Sequence, residues 1–194
     1  QLLVTLPGYD LQDYVAFDLE TTDLDIGRAE VIEIGAVRVR NGAVVGRFHT
    51  FVCPRGDVSP GAAETHGLTR DKLVDAPPFV EAGARFSAFV GNDILIAHNG
   101  YGYDFRVLNR EFYRHELPKL PNAKLDTLPM SSSYFSDSRH TIDALCERFG
   151  IRVGERRHRA LDEARLLYQV FESIRTERAT RARKSAREQL GDTV

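Results

Sequence analysis

Residues 13–21 read DYVAFDLET. Side chains of an extended strand alternate between its two faces, so Val15, Phe17 and Leu19 point one way while Ala16, Asp18 and Glu20 point the other. One short strand therefore carries an apolar face and, on its reverse, two neighbouring carboxylates. Acids placed so close repel each other, and burying either one unpaired is costly, so the pair calls for nearby Arg or Lys or for a bound divalent cation. A strand end emerging into solvent accounts for the same pattern, and the tripeptide DLE alone does not separate the two readings.

Working outward, residues 31–40 and 43–52 are rich in Val, Ile and Phe and flank Asn41-Gly42, a dipeptide suited to the left-handed angles of a tight hairpin. Three neighbouring antiparallel strands follow. Residues 54–60 read as loop. In residues 79–90, Phe79, Ala82, Phe86 and Phe89 recur at helical spacing before Gly91. DILIAHN (93–99) is a short apolar strand, and YDFRVLNREFYRHE (103–116) is a helix with Phe105, Leu108 and Phe112 on one face. KLDTL (124–128) reads as a further strand end. TIDALCERFG (141–150) is a helix with Ile142, Leu145 and Phe149 inward and Gly150 as its stop, and HRALDEARLLYQVFESI (158–174) is a long amphipathic helix. Strands first, then alternating strands and helices, argue for a mixed α/β sheet.

The chain has 194 residues, 42% hydrophobic and 28% charged, the composition of an ordinary globular protein with one principal domain. That domain is expected to span residues 10–175, with a basic extension or linker over 176–194, where large apolar residues give out. The longest apolar runs, such as ILIA at 94–97, are far shorter than the roughly 18 residues needed to span a bilayer, so no membrane partner is expected. The sequence begins at Gln1 without a secretory leader pattern, a start that suits a trimmed or excised segment. Cys53 and Cys146 lack the spacing of a zinc site, and free thiols fit a cytoplasmic location. Net charge is −2, but residues 175–194 hold six Lys or Arg against three Asp or Glu, which leaves 20 basic and 25 acidic residues in the body. A protein that coats long nucleic acid usually carries a basic surface instead. A polyanionic substrate would need its positive charge supplied locally.

Other acids share the DLE ambiguity. His158 and Asp162 are four residues apart and would share a helix face. Asp162 also suits the first turns of a helix as a dipole partner, and Asp104 suits a helix cap. Spacing alone does not bring these places together.

Three segments taken in order do: FDLETT (17–22), AHNGYGYDFRVL (97–108) and HRALDEA (158–164) resemble the three exonuclease motifs of the DEDDh, or DnaQ-like, 3′–5′ exonucleases, a family that includes the proofreading epsilon subunit of bacterial replicative DNA polymerase. VIEIGAV, HGLT, DTL and SRHTIDALCERFGI also fall where such proteins have similar segments, so the resemblance runs over residues 14–174. It implies a ribonuclease H-like fold, a five-stranded mixed sheet flanked by helices. It also implies that Asp18, Glu20, Asp104 and Asp162 are the four acids of the family name and that His158 is its histidine. The stretch YGYDF departs from the epsilon pattern, with three residues between Asn99 and Tyr103 instead of two.

The implied chemistry uses two divalent cations, Mg²⁺ or Mn²⁺, roughly 3.5–4 Å apart, which suit hard oxygen ligands. Asp18 would bridge them, Glu20 and Asp162 would complete the site of the attacking water, Asp104 would support the second ion, and His158 would take the proton. An ordinary imidazole is largely neutral above about pH 6.5 and able to do so. Leu19, Thr21, Thr22, His66 and Asn99 are candidate contacts to the terminal nucleotide, and Tyr101 and Tyr103 candidate stacking platforms, although loop hydroxyls often satisfy their own backbone and Tyr103 also suits a core aromatic. Glu33 and Asp126 read as supporting residues, and Cys146 as packing. The expected activity is a metal-dependent 3′–5′ exonuclease that releases nucleoside 5′-monophosphates from single-stranded or frayed DNA ends, in proofreading or repair, with a DNA polymerase or another replication or repair protein as partner. The alternatives are a 3′–5′ exoribonuclease, since no residue decides how a 2′-hydroxyl is treated, and a silent nucleic-acid-binding adaptor, against which the intact acid set speaks.

Overall fold

The structure, a computed structural model, describes residues 11–135, 139–154 and 158–191. β1 (Tyr14–Thr21), β2 (Val31–Arg40) and β3 (Ala43–Phe51) form an antiparallel meander. Asn41 and Gly42 join β2 to β3 with φ of 50° and 74°, the left-handed pair that a two-residue hairpin requires. After a short helix α1 (Pro60–His66), a 3₁₀ turn at Arg70–Leu73 and helix α2 (Phe79–Val90), β4 (Ile94–Ala97) enters the sheet parallel to β1. Helix α3 (Asp104–Arg114) returns the chain to β5 (Lys124–Asp126), parallel to β4, and helices α4 (Thr127–Tyr134), α5 (Ile142–Phe149) and α6 (Ala160–Gly191) follow. The strand order is β3-β2-β1-β4-β5, the expected five-stranded mixed sheet.

Alternation along β1 decides which helices lie on which face. Val15, Phe17 and Leu19 pack with α2 and α3, where the Phe17 ring meets Phe86 and Phe105 at 5.7 Å each. Tyr14 and Ala16 pack with α6, where Tyr14 meets Phe171 edge-on at 5.0 Å and donates its hydroxyl to Glu172 at 2.7 Å. Full burial of one such side chain stabilises by roughly 1.5–3 kcal/mol, and both clusters contain several. Asp18 and Glu20 continue the Tyr14–Ala16 stripe and therefore lie on the α6 side, beyond the apolar cluster.

Gly35 determines how closely α6 approaches. It is the β2 residue opposite Asp18, and a Cβ built there would lie 2.0 Å from the Leu161 amide nitrogen and 2.4 Å from the Ala160 carbonyl oxygen. Only a residue without a side chain lets the first turn of α6 rest on the sheet beside Asp18.

Two elements differ from the sequence reading. Residues 54–60 are not wholly loop, because Ser59 caps α1 by accepting from the Ala62 amide and Pro60 opens the helix. KLDTL turns directly from β5 into α4, capped by the Asp126 carboxylate on the Leu128 amide at 2.9 Å. Beyond Ile174, α6 continues to Gly191, with residues 179–186 exposed, and Arg181 reaches back over the Tyr134 ring at 5.0 Å. No helix among the described residues is long and apolar enough to cross a membrane.

Candidate active site

Asp18 and Glu20 stand half-buried at the end of β1, where the sheet offers them little compensation. Burial, and then repulsion from Asp104, Glu20, Glu163 and Glu33, holds the Asp18 carboxyl well above the ordinary carboxylate range. Burial likewise pushes Glu20 up to about 8, reinforced by Glu33, Glu163 and Asp104 and opposed by Arg159. Glu33 is its cross-strand partner, so two acids directly face each other across the β1–β2 ladder.

Asp104 is brought in by the turn after β4. Asn99 takes a left-handed φ of 58°, and its carbonyl accepts from the Tyr103 amide at 2.9 Å. Gly102 permits the tightness, since a Cβ there would sit 2.2 Å from Asn99 Oδ1. Asp104 is the first helical residue of α3 rather than its cap, a position held by Tyr103. Burial pushes its carboxyl up to about 7, against hydrogen bonding from its own amide and from Leu19, with Asp126 adding to the rise.

The start of α6 supplies the remaining groups. His158 is exposed and lies before the helix, with φ of 57°, and its N–H donates to Glu163 Oε1 at 3.1 Å. The Glu163 charge adds to the rise of both Asp18 and Glu20. Asp162 pairs with Arg165 at 3.9 Å and is not among the charges acting on Asp18 or Glu20. The sequence expectation for Asp162 therefore meets a different geometry. Spacing of four applies only within a helix, and His158 precedes the first turn.

Among the described residues no three His, Cys, Asp or Glu side chains already converge as a finished ligand set. What they form is a group of oxygen donors coupled by mutual repulsion, the condition that a hard divalent cation relieves.

A family model described as Exonuclease matches residues 15–171. The chain belongs to the exonuclease family. Within this DnaQ-like family it is 36% identical over 165 residues to the DNA polymerase III subunit epsilon of Rickettsia felis, covering 81% of this chain and 71% of that one. It is 34% identical over 164 residues to the PolC-type DNA polymerase III of Thermotoga petrophila, covering 84% of this chain but only 12% of the polymerase. The chain thus spans about an eighth of that relative. Escherichia coli exonuclease I in complex with a dT13 oligonucleotide superposes with a TM-score of 0.74 at 17% identity over 89% of this chain and 43% of that one, and a zinc-bound complex with single-stranded DNA superposes with a TM-score of 0.77. These likenesses identify the fold as ribonuclease H-like. Nucleases of this exonuclease family use divalent metals.

The substrate-contact candidates of this exonuclease fold separate into those with free groups and those already engaged. Leu19 is buried in the α2–α3 cluster, leaving only its backbone near the acids. Thr21 Oγ1 bonds the Tyr103 hydroxyl at 2.6 Å and the Asp23 carbonyl at 3.0 Å. Thr22 Oγ1 accepts from the Glu30 amide at 2.9 Å and keeps its own proton to donate. His66 is buried; its Nδ1 accepts from the Leu68 amide at 3.1 Å, so Nε2 carries the proton given to the Thr21 carbonyl at 3.2 Å. Both ring nitrogens serve the fold, and burial lowers the imidazole's affinity for a second proton. Asn99 and Tyr101 are exposed, whereas Tyr103 is half-buried with its hydroxyl on Thr21 and Asp23. Asp126 caps α4 and accepts from the Tyr101 amide at 2.9 Å, which accounts for it without a metal.

Glu163 and Arg159 escaped the sequence reading. The available signal was the buried stripe of α6, Ala160, Ala164, Leu167, Phe171 and Ile174. At about 100° per residue, Glu163 falls on that stripe and Asp162 on the opposite side.

Proposed function

We propose that this exonuclease domain is a metal-dependent 3′–5′ exonuclease that hydrolyses phosphodiester bonds at the ends of single-stranded or frayed DNA and releases nucleoside 5′-monophosphates. The observation that carries the reading is the placement of Asp18 and Glu20 on one face at the end of β1, on the side covered by the first turn of α6, where burial and the charges of Asp104 and Glu163 hold both carboxyls above their ordinary range. Asp18, Glu20 and Asp104 would hold two Mg²⁺ or Mn²⁺ ions, with Glu163 taking the place first expected of Asp162. When bound, such ions supply the positive charge that stabilises both the attacking and the leaving oxygen of an in-line displacement.

The chain's own residues do the rest. His158 accepts the proton of the attacking water, the new bond forms at phosphorus, and the bond to the 3′ oxygen breaks; that oxygen takes a proton from solvent water, leaving a 3′-hydroxyl on the shortened strand, and His158 returns its proton to solvent. The acidic balance of the body, 20 basic against 25 acidic residues before residue 175, favours gripping a strand end over coating a duplex. Single-stranded oligonucleotides on exonuclease I support DNA as the substrate, and the names of the epsilon and PolC-type relatives support service beside a replicative polymerase, with residues 10–175 as the catalytic unit and 176–194 as its extension.

The test is incubation with 5′-labelled DNA and RNA oligonucleotides, with Mg²⁺, Mn²⁺ or chelator, beside Asp18→Ala. Stepwise shortening of DNA that stops with chelator and in the variant is expected. Faster loss of RNA, or digestion undiminished in the variant, would overturn the assignment.

A further inference from the structure

The turn that bears His158 is held by a cation with no part in the proposed chemistry. Glu33 on β2 has no exposed surface. Its carboxylate is taken by two partners, His49 Nε2 at 2.6 Å from Oε1 and Arg159, whose Nε lies 3.1 Å from Oε2 and Nη2 3.2 Å from Oε1. The guanidinium also lies 5.1 Å from the centre of the Phe51 ring, and Phe51 is the β3 residue opposite Glu33. A carboxylate from one strand and a ring from the next thus form a seat for Arg159.

Arg159 follows His158 and immediately precedes α6. His158 adopts a left-handed φ, which costs a non-glycine residue about 1–3 kcal/mol and persists only when the surroundings impose it. The backbone is restrained by the Glu163 carboxylate on the His158 amide, by the Arg159 carbonyl accepting from the Asp162 and Glu163 amides at 2.9 and 3.0 Å, and by the close approach of Ala160 and Leu161 to Gly35. To these the forked Arg159–Glu33 pair adds a side-chain tie from the turn to β2, and its two N–H···O contacts set direction as well as distance.

We propose that Arg159 is a positioning residue, which, seated between Glu33 and Phe51, fixes the His158 turn over the acidic end of β1 and compensates the carboxylate buried opposite Glu20. This role rests on the reading that His158 accepts the proton in phosphodiester hydrolysis. Lysine would not replace it, since a point charge lacks the fork.

The experiment measures kcat and KM on a single-stranded DNA oligonucleotide with Mn²⁺, with thermal unfolding in parallel, for Arg159→Ala, Arg159→Lys, the double variant Glu33→Met with Arg159→Met, His158→Ala, and Arg85→Ala as a distant arginine control. Arg159→Ala is expected to lose roughly 10- to 100-fold in kcat, the scale of a small misplacement of a reacting group, with KM within about threefold. Arg159→Lys recovers only part of this, and Arg85→Ala matches the parent. The double variant should equal or exceed the parent in Tm, as apolar replacement of buried ion pairs often does, while kcat stays low. A double variant with parent kcat, or an Arg159→Ala loss no larger than its loss of folded protein, overturns the proposal. If the double variant does not fold, the second criterion decides alone. His158→Ala at the parent rate would instead overturn the underlying role of His158, so the two failures are distinguishable.

Discussion

Glu20 and Glu33 face each other on neighbouring strands, yet their surroundings are opposite. Glu33 is wholly buried but engaged by His49 and Arg159. Burial pushes the half-buried Glu20 up to about 8, and repulsion from Glu33, Glu163 and Asp104 outweighs the opposing charge of Arg159. The difference separates an acid that holds the fold together from one that the fold tolerates. A compensated carboxylate stabilises the assembly of strands and helix, whereas one that its neighbours mostly repel is kept at a cost that a bound cation relieves.

The largest expected effect breaks the uncompensated side. Asp18→Asn should cut exonuclease activity by at least about 10²–10³-fold, the scale seen when a preorganised electrostatic group is removed. It should also raise the Tm of the metal-free protein at pH 8, because a repelling charge has gone. Glu33→Gln should do the reverse to stability, since it strands Arg159. Calorimetry of the two variants in chelator reads the opposite signs directly, and equal signs would dissolve the contrast.

Next comes Gly35→Ala. A methyl 2.0 Å from the Leu161 nitrogen forces α6 off the sheet, and a loss of about 3 kcal/mol or more in urea unfolding is expected. A neutral result would mean that α6 does not rest on Gly35. On the helix itself, Glu163→Gln should lower kcat roughly 100-fold and weaken the Mn²⁺ dependence, while Asp162→Asn stays within about twofold. Equal losses in both would place the helix differently about its axis.

The smallest effect is on pH dependence. Glu20 and Asp104 bind protons more tightly folded than unfolded, Asp18 in the same direction, so their burial costs nothing at low pH and destabilises progressively as pH rises from the ordinary carboxylate range, about pH 4, toward about 7 for Asp104 and about 8 for Glu20. In chelator the Tm should therefore fall by about 5–10 °C between pH 5 and pH 8. Added Mn²⁺ should restore more at pH 8 than at pH 5. A metal-free Tm that rises over this interval would contradict the raised values.

Much of the scaffold was legible because local rules governed it. The alternation of β1, the Asn41-Gly42 hairpin and the phenylalanine spacing of α2 each follow from strand or helix geometry within a few residues. Helix α1 was missed because two prolines around residues 54–60 suggest a loop, although proline also suits a first helical turn. The resemblance assigned Asp162 the role of the fourth acid, and the four-residue spacing from His158 does not test it, because His158 lies before the helix.

Sequence alone determined the strand that presents Asp18 and Glu20 on one face, the five strands with the helices α2, α3, α5 and α6 in their order and, through three spaced motifs, the exonuclease family. Tertiary structure decided that the Glu163 charge bears on Asp18 and Glu20, why Gly35 lacks a side chain, and that Arg159 belongs to Glu33. The reason is range. Alternation and periodicity act over a few residues, whereas the charge felt by a buried carboxylate is the sum over residues more than a hundred positions apart, and only folding fixes those distances.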